Sequence, residues 1–116
     1  MDLENFRNYC LALEGTTEKM PFGKFAHRFD SILVFYVYGH IYCLIDIADF
    51  KSITIKSDPE TIEWLLASKC STSSPRNMSP KYWIEIALDG DVSSKLILEL
   101  VTKSYKIVKA KYLPKQ

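Results

Sequence analysis

Three side chains that lie close together in the sequence have the chemistry of a nucleic-acid contact. Arg76, Lys81 and Trp83 combine two cations with one large amphipathic ring. Lysine and arginine neutralise backbone phosphates, and an exposed aromatic ring can stack on an unpaired base or wedge into a groove. The alternative is structural: Trp83 packs beneath the preceding loop and the cations are merely solvated. The residues alone leave both interpretations open.

The total charge of the chain gives this hypothesis little support, but the distribution of charge gives more. A formal net charge of +1 argues against a strong nucleic-acid binder, since such domains usually carry a marked basic excess. Residues 1–58 contain six lysines and arginines against eight acids, whereas residues 59–116 contain nine against six. We therefore include in the predicted surface Lys103, Lys106 and Lys109, although lysines near a helix C-terminus are also what the helix dipole favours.

The sequence contains no motif typical of a metal site, a phosphate-binding loop or a catalytic nucleophile. The only histidines, His27 and His40, lie at no metal-ligand spacing from cysteine or acidic residues. The four glycines are scattered, so there is no phosphate-cradling loop, and no nucleophile motif is present. Three widely spaced cysteines, Cys10, Cys43 and Cys70, are predicted to be reduced thiols. We expect no catalysis, no metal and no cofactor.

The elements that position these residues follow from the length and the periodicity of the sequence. A chain of 116 residues is predicted to form one domain, residues 1–116, and without a signal-peptide start or a spanning segment we expect it in the cytoplasm, with no membrane partner. Helices are predicted after the N-cap residues Asp2 and Asp58, and from the turn Asp89-Gly90-Asp91 to about Lys109. Strands are predicted over residues 16–22, 26–29, 32–38, 41–47, 52–56 and 81–88.

The last of these strands carries the candidate contact residues. A period of two puts Tyr82, Ile84, Ile86 and Leu88 on the core face and turns Trp83 to the other face. The polar loop over residues 70–77 precedes this strand. Trp83 therefore lies either under that loop or on an open sheet surface.

A hairpin with the two-residue turn Gly39-His40 is the clearest pairing in the sequence. Pairing Tyr38 with Ile41 places Val34 opposite Ile45 on one face and leaves an apolar set on the other face. That set is Phe35, Val37, Tyr42 and Leu44. Since three helices cover only one face of an antiparallel sheet, the set is a candidate surface for a protein partner, a small ligand or a homodimer.

The whole chain resembles the MmcQ/YjbR-like family of small proteins. Short matches occur in the family's order along the chain. They are Tyr9-Cys10-Leu11, Gly15-Thr16-Thr17-Glu18, Pro21-Phe22-Gly23, Lys56-Ser57-Asp58-Pro59-Glu60, Met78 with Lys81 and Trp83, Leu88-Asp89-Gly90, and Ser104-Tyr105 before Ala110-Lys111. The resemblance implies an α+β fold similar to the frataxin (CyaY-like) arrangement, with N- and C-terminal helices packed on one face of an antiparallel sheet. It also implies DNA binding through a double-wing arrangement.

The chain departs from the family pattern in the segment before the last strand. The family commonly reads His-Met-Asn-Lys-Lys-His-Trp there, whereas this chain reads Asn-Met-Ser-Pro-Lys-Tyr-Trp over residues 77–83. Both histidines and one lysine are absent, so only Lys81 and Trp83 carry over. We expect a non-enzymatic, weakly sequence-selective DNA-binding protein. The alternative is an adaptor that uses the apolar sheet face.

Overall fold

The computed structural model describes residues 1–20 and 31–114, and these residues form three helices and six strands. The helices are α1 (Leu3–Ala12), α2 (Pro59–Ser68) and α3 (Ser94–Lys111). The strands are β1 (Thr16–Lys19), β2 (Ile32–Val37), β3 (His40–Asp46), β4 (Ser52–Lys56), β5 (Thr72–Ser73) and β6 (Trp83–Ala87). The predicted strand over 26–29, and the end of the one over 16–22, lie outside the described residues.

The six strands form one sheet in the order β1-β2-β3-β4-β6-β5, and every pairing is antiparallel. The core lies between one face of this sheet and the helices. Phe6 and Cys10 of α1, Ile62 and Leu65 of α2, and the inner side of α3 enter one buried cluster with the strands. The predicted α+β class, with helices against an antiparallel sheet, is confirmed.

Local sequence rules locate the helix starts. Asp2 and Asp58 are N-caps as predicted, and their carboxylates accept the backbone N–H groups of Asn5 and Thr61. The cap of α3 is Ser93. Asp91 instead accepts the N–H groups of Cys70 and Ser71.

The register of the β2–β3 hairpin differs from the prediction. The two-residue turn is Tyr38-Gly39, not Gly39-His40, and Phe35 lies opposite Cys43. Since Tyr36 then pairs with Ile41, residue 42 has no opposite partner and forms a β-bulge. The bulge turns Tyr42 and Cys43 toward the same side, and both are fully buried.

The corrected register moves the predicted partner face into the core. Phe35, Val37 and Tyr42 are fully buried and belong to the cluster beneath the helices. They cannot form an exposed partner surface in this fold. Leu44 alone of the predicted set lies on the second face, where it is half-buried and pairs with Val34 and Thr54.

The cysteines Cys10 and Cys43 are buried in the core as free thiols, and Cys70 is exposed. Burial raises the pKa of the Cys43 thiol, which therefore stays protonated at neutral pH. Within residues 1–20 and 31–114, no helix has the length and apolar character needed to cross a bilayer.

Candidate nucleic-acid interface

Strand β6 places Trp83 on the face of the sheet that is turned away from the helices. Ile84 and Ile86 are fully buried, as predicted, and Trp83 and Glu85 are half-buried on the opposite face. Tyr82 was predicted in the core but is 42% exposed, because the strand begins only at residue 83. The N–H groups of Tyr82 and Trp83 both donate to the carbonyl of Ser79, which makes this entry a tight turn.

Each of these two rings has a lysine beside it. The Nζ atom of Lys56 lies 5.9 Å from the centroid of the Trp83 ring, and the Nζ atom of Lys81 lies 5.5 Å from the centroid of the Tyr82 ring. Lys56 sits directly opposite Trp83 in the β4–β6 pairing. It belongs to the site, although the sequence analysis did not select it.

The directions of the strands decide which loops meet at one end of the sheet. Because all pairings are antiparallel, β2 and β4 finish at the end where β3 and β6 begin. The pairs Val37–His40 and Lys56–Trp83 mark this end, and a bond from the Ser57 N–H to the Tyr82 carbonyl (2.9 Å) continues it. Residues from four strands therefore meet there.

The last turns of α3 reach the same end. The rings of His40 and Tyr112 stack with centroids 3.3 Å apart and planes 7° apart. The Nζ atom of Lys111 lies 5.4 Å from the Tyr112 ring centroid, and that of Lys109 lies 5.4 Å from the Tyr105 ring centroid. A hydrogen bond with the Tyr105 hydroxyl raises the pKa of Lys109, so its charge is maintained at neutral pH.

We call this end of the sheet the basic rim. Its members are cations and aromatic or imidazole rings from β2, β3, β4, the entry to β6 and the end of α3. They are Tyr38, His40, Lys56, Lys81, Tyr82, Trp83, Lys103, Lys109, Lys111 and Tyr112. At the opposite end of the sheet, Asp46, Asp49, Asp89 and Asp91 lie at or next to strand ends, together with Lys19 and Lys51.

Tyr38 holds an unusual backbone conformation at the tip of the β2–β3 hairpin. Its φ is 51° and that of Gly39 is 76°, so both turn residues are left-handed, as in a type I′ turn. Asparagine and glycine suit the first of these positions. An aromatic residue there has its Cβ close to a carbonyl oxygen, which lowers the free energy of unfolding by about 1 kcal/mol. The side chain is nevertheless 41% exposed.

Four of the six predicted contact residues lie at the basic rim. Lys81, Trp83 and Lys109 are among its cation–ring pairs. Lys103 is also there, but its Nζ atom lies 2.7 Å from the Asp58 carboxylate and 2.7 Å from the Thr61 hydroxyl. The Lys103 ammonium holds the pKa of Asp58 well below its usual range, so this pair is ionised and locally neutral.

The other two predicted residues, Lys106 and Arg76, lie on different surfaces. Lys106 lines a shallow groove between α1 and α3 with Tyr9 and Ile107, and Lys103 borders this groove as well as the rim. Arg76 lines a cleft on the second sheet face, together with Leu44 and Glu85. The six residues therefore do not form one surface, and the rim replaces them as the candidate interface.

Strand directions were the signal that could have found the rim. An antiparallel reading of the predicted strands places the ends of β2 and β4 beside the start of β6, and Lys56 is the last residue of β4. The contribution of Tyr112 could not be read in the same way, because its contact with His40 joins positions far apart in sequence. In the part of the chain that the structure describes, no three metal-ligating side chains converge on one point.

These features define a class of protein: a small α+β domain with helices on one face of a six-stranded antiparallel sheet and a basic, aromatic end. The chain belongs to the YjbR family, whose family model matches residues 11–107. This finding agrees with the resemblance in the sequence. No protein of curated description matches the chain significantly.

Solved structures show the same fold. The crystal structure of the Deinococcus radiodurans protein DR2400, with a DUF419 domain, is 30% identical and has a TM-score of 0.83, covering 97% of this chain and 81% of its own. A crystal structure of a Pseudomonas syringae protein is 23% identical with a TM-score of 0.73, covering 93% of this chain and 99% of its own. A solution structure from the same organism is 24% identical with a TM-score of 0.68, covering 93% of each chain. At these lower identities the likeness concerns the fold alone.

Proposed function

We propose that this protein binds DNA through the basic rim, without catalysis and with weak sequence selectivity. The observation that carries the proposal is that antiparallel strand directions bring Lys56 and Lys81 to one end of the sheet, which the last turns of α3, with their lysines, reach through the His40–Tyr112 stack. Although the net charge of the whole chain is only +1, positive charge is therefore in excess at the rim. Local rather than total charge attracts a polyanion at close range, because salt screens charges beyond about 8 Å at physiological ionic strength.

The kinds of group at the rim account for the weak selectivity. Lysine is a point charge on a flexible stem, and it contacts phosphates without reading base identity. Tyrosine and tryptophan rings can stack on any base, since every base has a π-face. Hydrogen-bonding side chains that would read base edges are few here. Asp58, for example, is engaged by Lys103 and Thr61.

The rim also offers few groups for acid–base or nucleophilic chemistry. Its imidazole, His40, is stacked flat on Tyr112. The Asp58 carboxylate, which contacts the rim lysine Lys103, is ion-paired with it. Cations and rings of this kind hold a ligand in place, which supports a binding function rather than an enzymatic one and gives no role to a cofactor.

A salt titration tests the proposal. Binding of a fluorescent duplex and of a single strand is measured at two salt concentrations, with wild type and with Lys81→Gln and Lys109→Gln. We expect binding at low salt that weakens steeply as salt rises. Each variant should weaken binding to every sequence and should reduce the slope of log K against log salt for the duplex by about 0.9, the value for one lost phosphate contact.

The matched control is Lys95→Gln, because Lys95 is an exposed lysine at the start of α3, away from the rim. Its affinity and salt slope should equal those of the wild type. Absence of binding at low salt would contradict the proposal. Equal losses of DNA affinity in all three variants would show that binding depends on the overall charge of the protein and not on the rim.

A second candidate function rests on the cleft that Arg76 lines. This cleft has a volume of about 880 Å³ and lies between the second sheet face and the segment 73–78. Its floor includes Ile32, Ile41 and Leu44, and its wall includes Met78. The remaining lining is largely polar and includes charged side chains such as Asp49, Lys51 and Glu85. Clefts of roughly 300–1,000 Å³ are the usual size of small-molecule sites. The candidate ligand is a small amphipathic molecule.

The dye 8-anilinonaphthalene-1-sulfonate is a suitable probe for this cleft, since it combines apolar rings with an anionic group. We expect its fluorescence to rise with folded wild type and to fall with Leu44→Ser. The control Leu11→Ser removes an exposed leucine on α1 and should leave the signal unchanged. An unchanged signal in Leu44→Ser would exclude the cleft. Light scattering on the same samples distinguishes a homodimer through this face, which would have twice the monomer mass.

A further inference from the structure

Tyr38 is a partly exposed ring at the tip of the β2–β3 hairpin, at the basic rim. It lies in the left-handed region at φ 51°, and its side chain is 41% exposed. Among residues 1–20 and 31–114, no aromatic ring stacks against it. An aromatic residue in this backbone conformation whose ring stays partly exposed is a reason to look for a functional contact.

The groups around Tyr38 are of the kinds that bind a nucleic-acid base and the phosphate next to it. Its neighbour on the hairpin, His40, is stacked flat on Tyr112, and Lys111 lies over the Tyr112 ring at 5.4 Å. Lys109, whose pKa is raised mainly by the Tyr105 hydroxyl and to a lesser extent by Tyr38, lies on the preceding turn of α3. A planar ring with cations beside it provides both a stacking surface and phosphate contacts.

A second ring marks the other side of the rim. Trp83 lies on β6, three strands away from the β2 end that carries Tyr38, with Lys56 over its ring at 5.9 Å. Adjacent strands are separated by about 4.8 Å, so the two sides of the rim are about 14 Å apart. At about 3.4 Å per nucleotide of a stacked strand, this distance corresponds to roughly four nucleotides.

We infer that the rim binds single-stranded DNA in preference to duplex, and that Tyr38 stacks on an unpaired base. The inference rests on the proposed DNA-binding function and specifies its ligand. The face of a base is accessible to a protein ring only when the base is not enclosed in a duplex stack. A duplex would present phosphates to the lysines but would leave the Tyr38 ring without a partner.

The test uses Tyr38→Asn, because asparagine tolerates the left-handed conformation that tyrosine does not favour. Affinities for a fluorescent oligothymidine and for a duplex of equal length are compared by anisotropy at low salt. We expect the melting temperature of the variant to rise, because the backbone strain is relieved. Its affinity for the single strand should fall about tenfold, which corresponds to one lost stacking contact, and its affinity for the duplex should stay unchanged. Tyr38→Phe keeps the ring and should behave as wild type.

Trp64→Ala is the control for loss of an exposed ring elsewhere, since Trp64 is exposed on α2. It should leave both affinities unchanged. If Tyr38→Asn binds the single strand as wild type does, the role of Tyr38 is excluded while the proposed DNA binding stands. Equal losses on single strand and duplex would overturn the single-strand preference. If the wild type binds neither DNA, the proposed function itself fails, and this inference with it.

Discussion

Replacing Gly90 with alanine is expected to lower the free energy of unfolding by about 2–3 kcal/mol, the upper part of the range for overpacked sites. A Cβ atom at this position would lie 2.1 Å from the Cβ of Ser71 and 2.6 Å from its Oγ atom. A separation this short requires movement of the segments that carry the two residues. Thermal unfolding followed by circular dichroism should show a decrease of about 10 °C in the melting temperature.

The contact matters because it attaches the segment before β5 to the turn before α3. Asp91, next to Gly90, accepts the N–H groups of Cys70 and Ser71 at 2.8 Å and 3.0 Å and the Ser71 hydroxyl at 2.6 Å. These bonds, with the hydroxyl as the largest contribution, lower the pKa of Asp91 to about 2. The carboxylate is thus charged, and the attachment holds, down to strongly acidic pH.

The double variant Ser71→Gly/Gly90→Ala separates the contact from the intrinsic effect of alanine. Ser71→Gly removes the Cβ that the new methyl group would meet, although it also loses the hydroxyl bond to Asp91. We expect the double variant to be no less stable than Ser71→Gly alone. Additive losses would show that the close approach is not the cause. The same would follow if Gly90→Ala alone had no measurable effect.

Local sequence rules predicted the positions of the helices and strands better than they predicted the register of strand pairing. Asp2 and the pair Asp58-Pro59 locate two helix starts, because capping depends only on residues within one turn. The β2–β3 register was wrong because the turn is Tyr38-Gly39 and because a bulge at Tyr42 interrupts the alternation. The Tyr42 carbonyl accepts a hydrogen bond from the Ser104 hydroxyl of α3, far away in the sequence. A period-two pattern contains no information about such a contact.

The candidate site shows the same division. The composition of residues 76–83 selected Lys81 and Trp83, which do lie at the rim. The neutralisation of Lys103 by Asp58 depends on the packing of α2 beside α3, and sequence spacing cannot show it. The position of Arg76 on the second face likewise depends on how the segment after β5 folds over the sheet.

Ser104→Ala is expected to lower the free energy of unfolding by about 2–3 kcal/mol, because it leaves two buried backbone groups without partners. The fully buried Ser104 hydroxyl donates to the Tyr42 carbonyl at 2.6 Å and accepts the Lys56 N–H at 2.9 Å. The β3–β4 pairing has ended at Cys43 and Ile55, so the ladder does not satisfy these groups. Urea unfolding should show a lower midpoint at an unchanged slope.

The matched control is Ser94→Ala, on the exposed first residue of the same helix, which should change stability by less than about 0.5 kcal/mol. Hydrogen exchange gives the specific readout: the Lys56 amide should lose its protection in Ser104→Ala, while the amides at the centre of β3 keep theirs. Equal stability of the two variants, with the Lys56 amide still protected, would mean that another group replaces the hydroxyl. Because Lys56 carries the cation over Trp83, loss of this bridge should also loosen the β4 side of the basic rim.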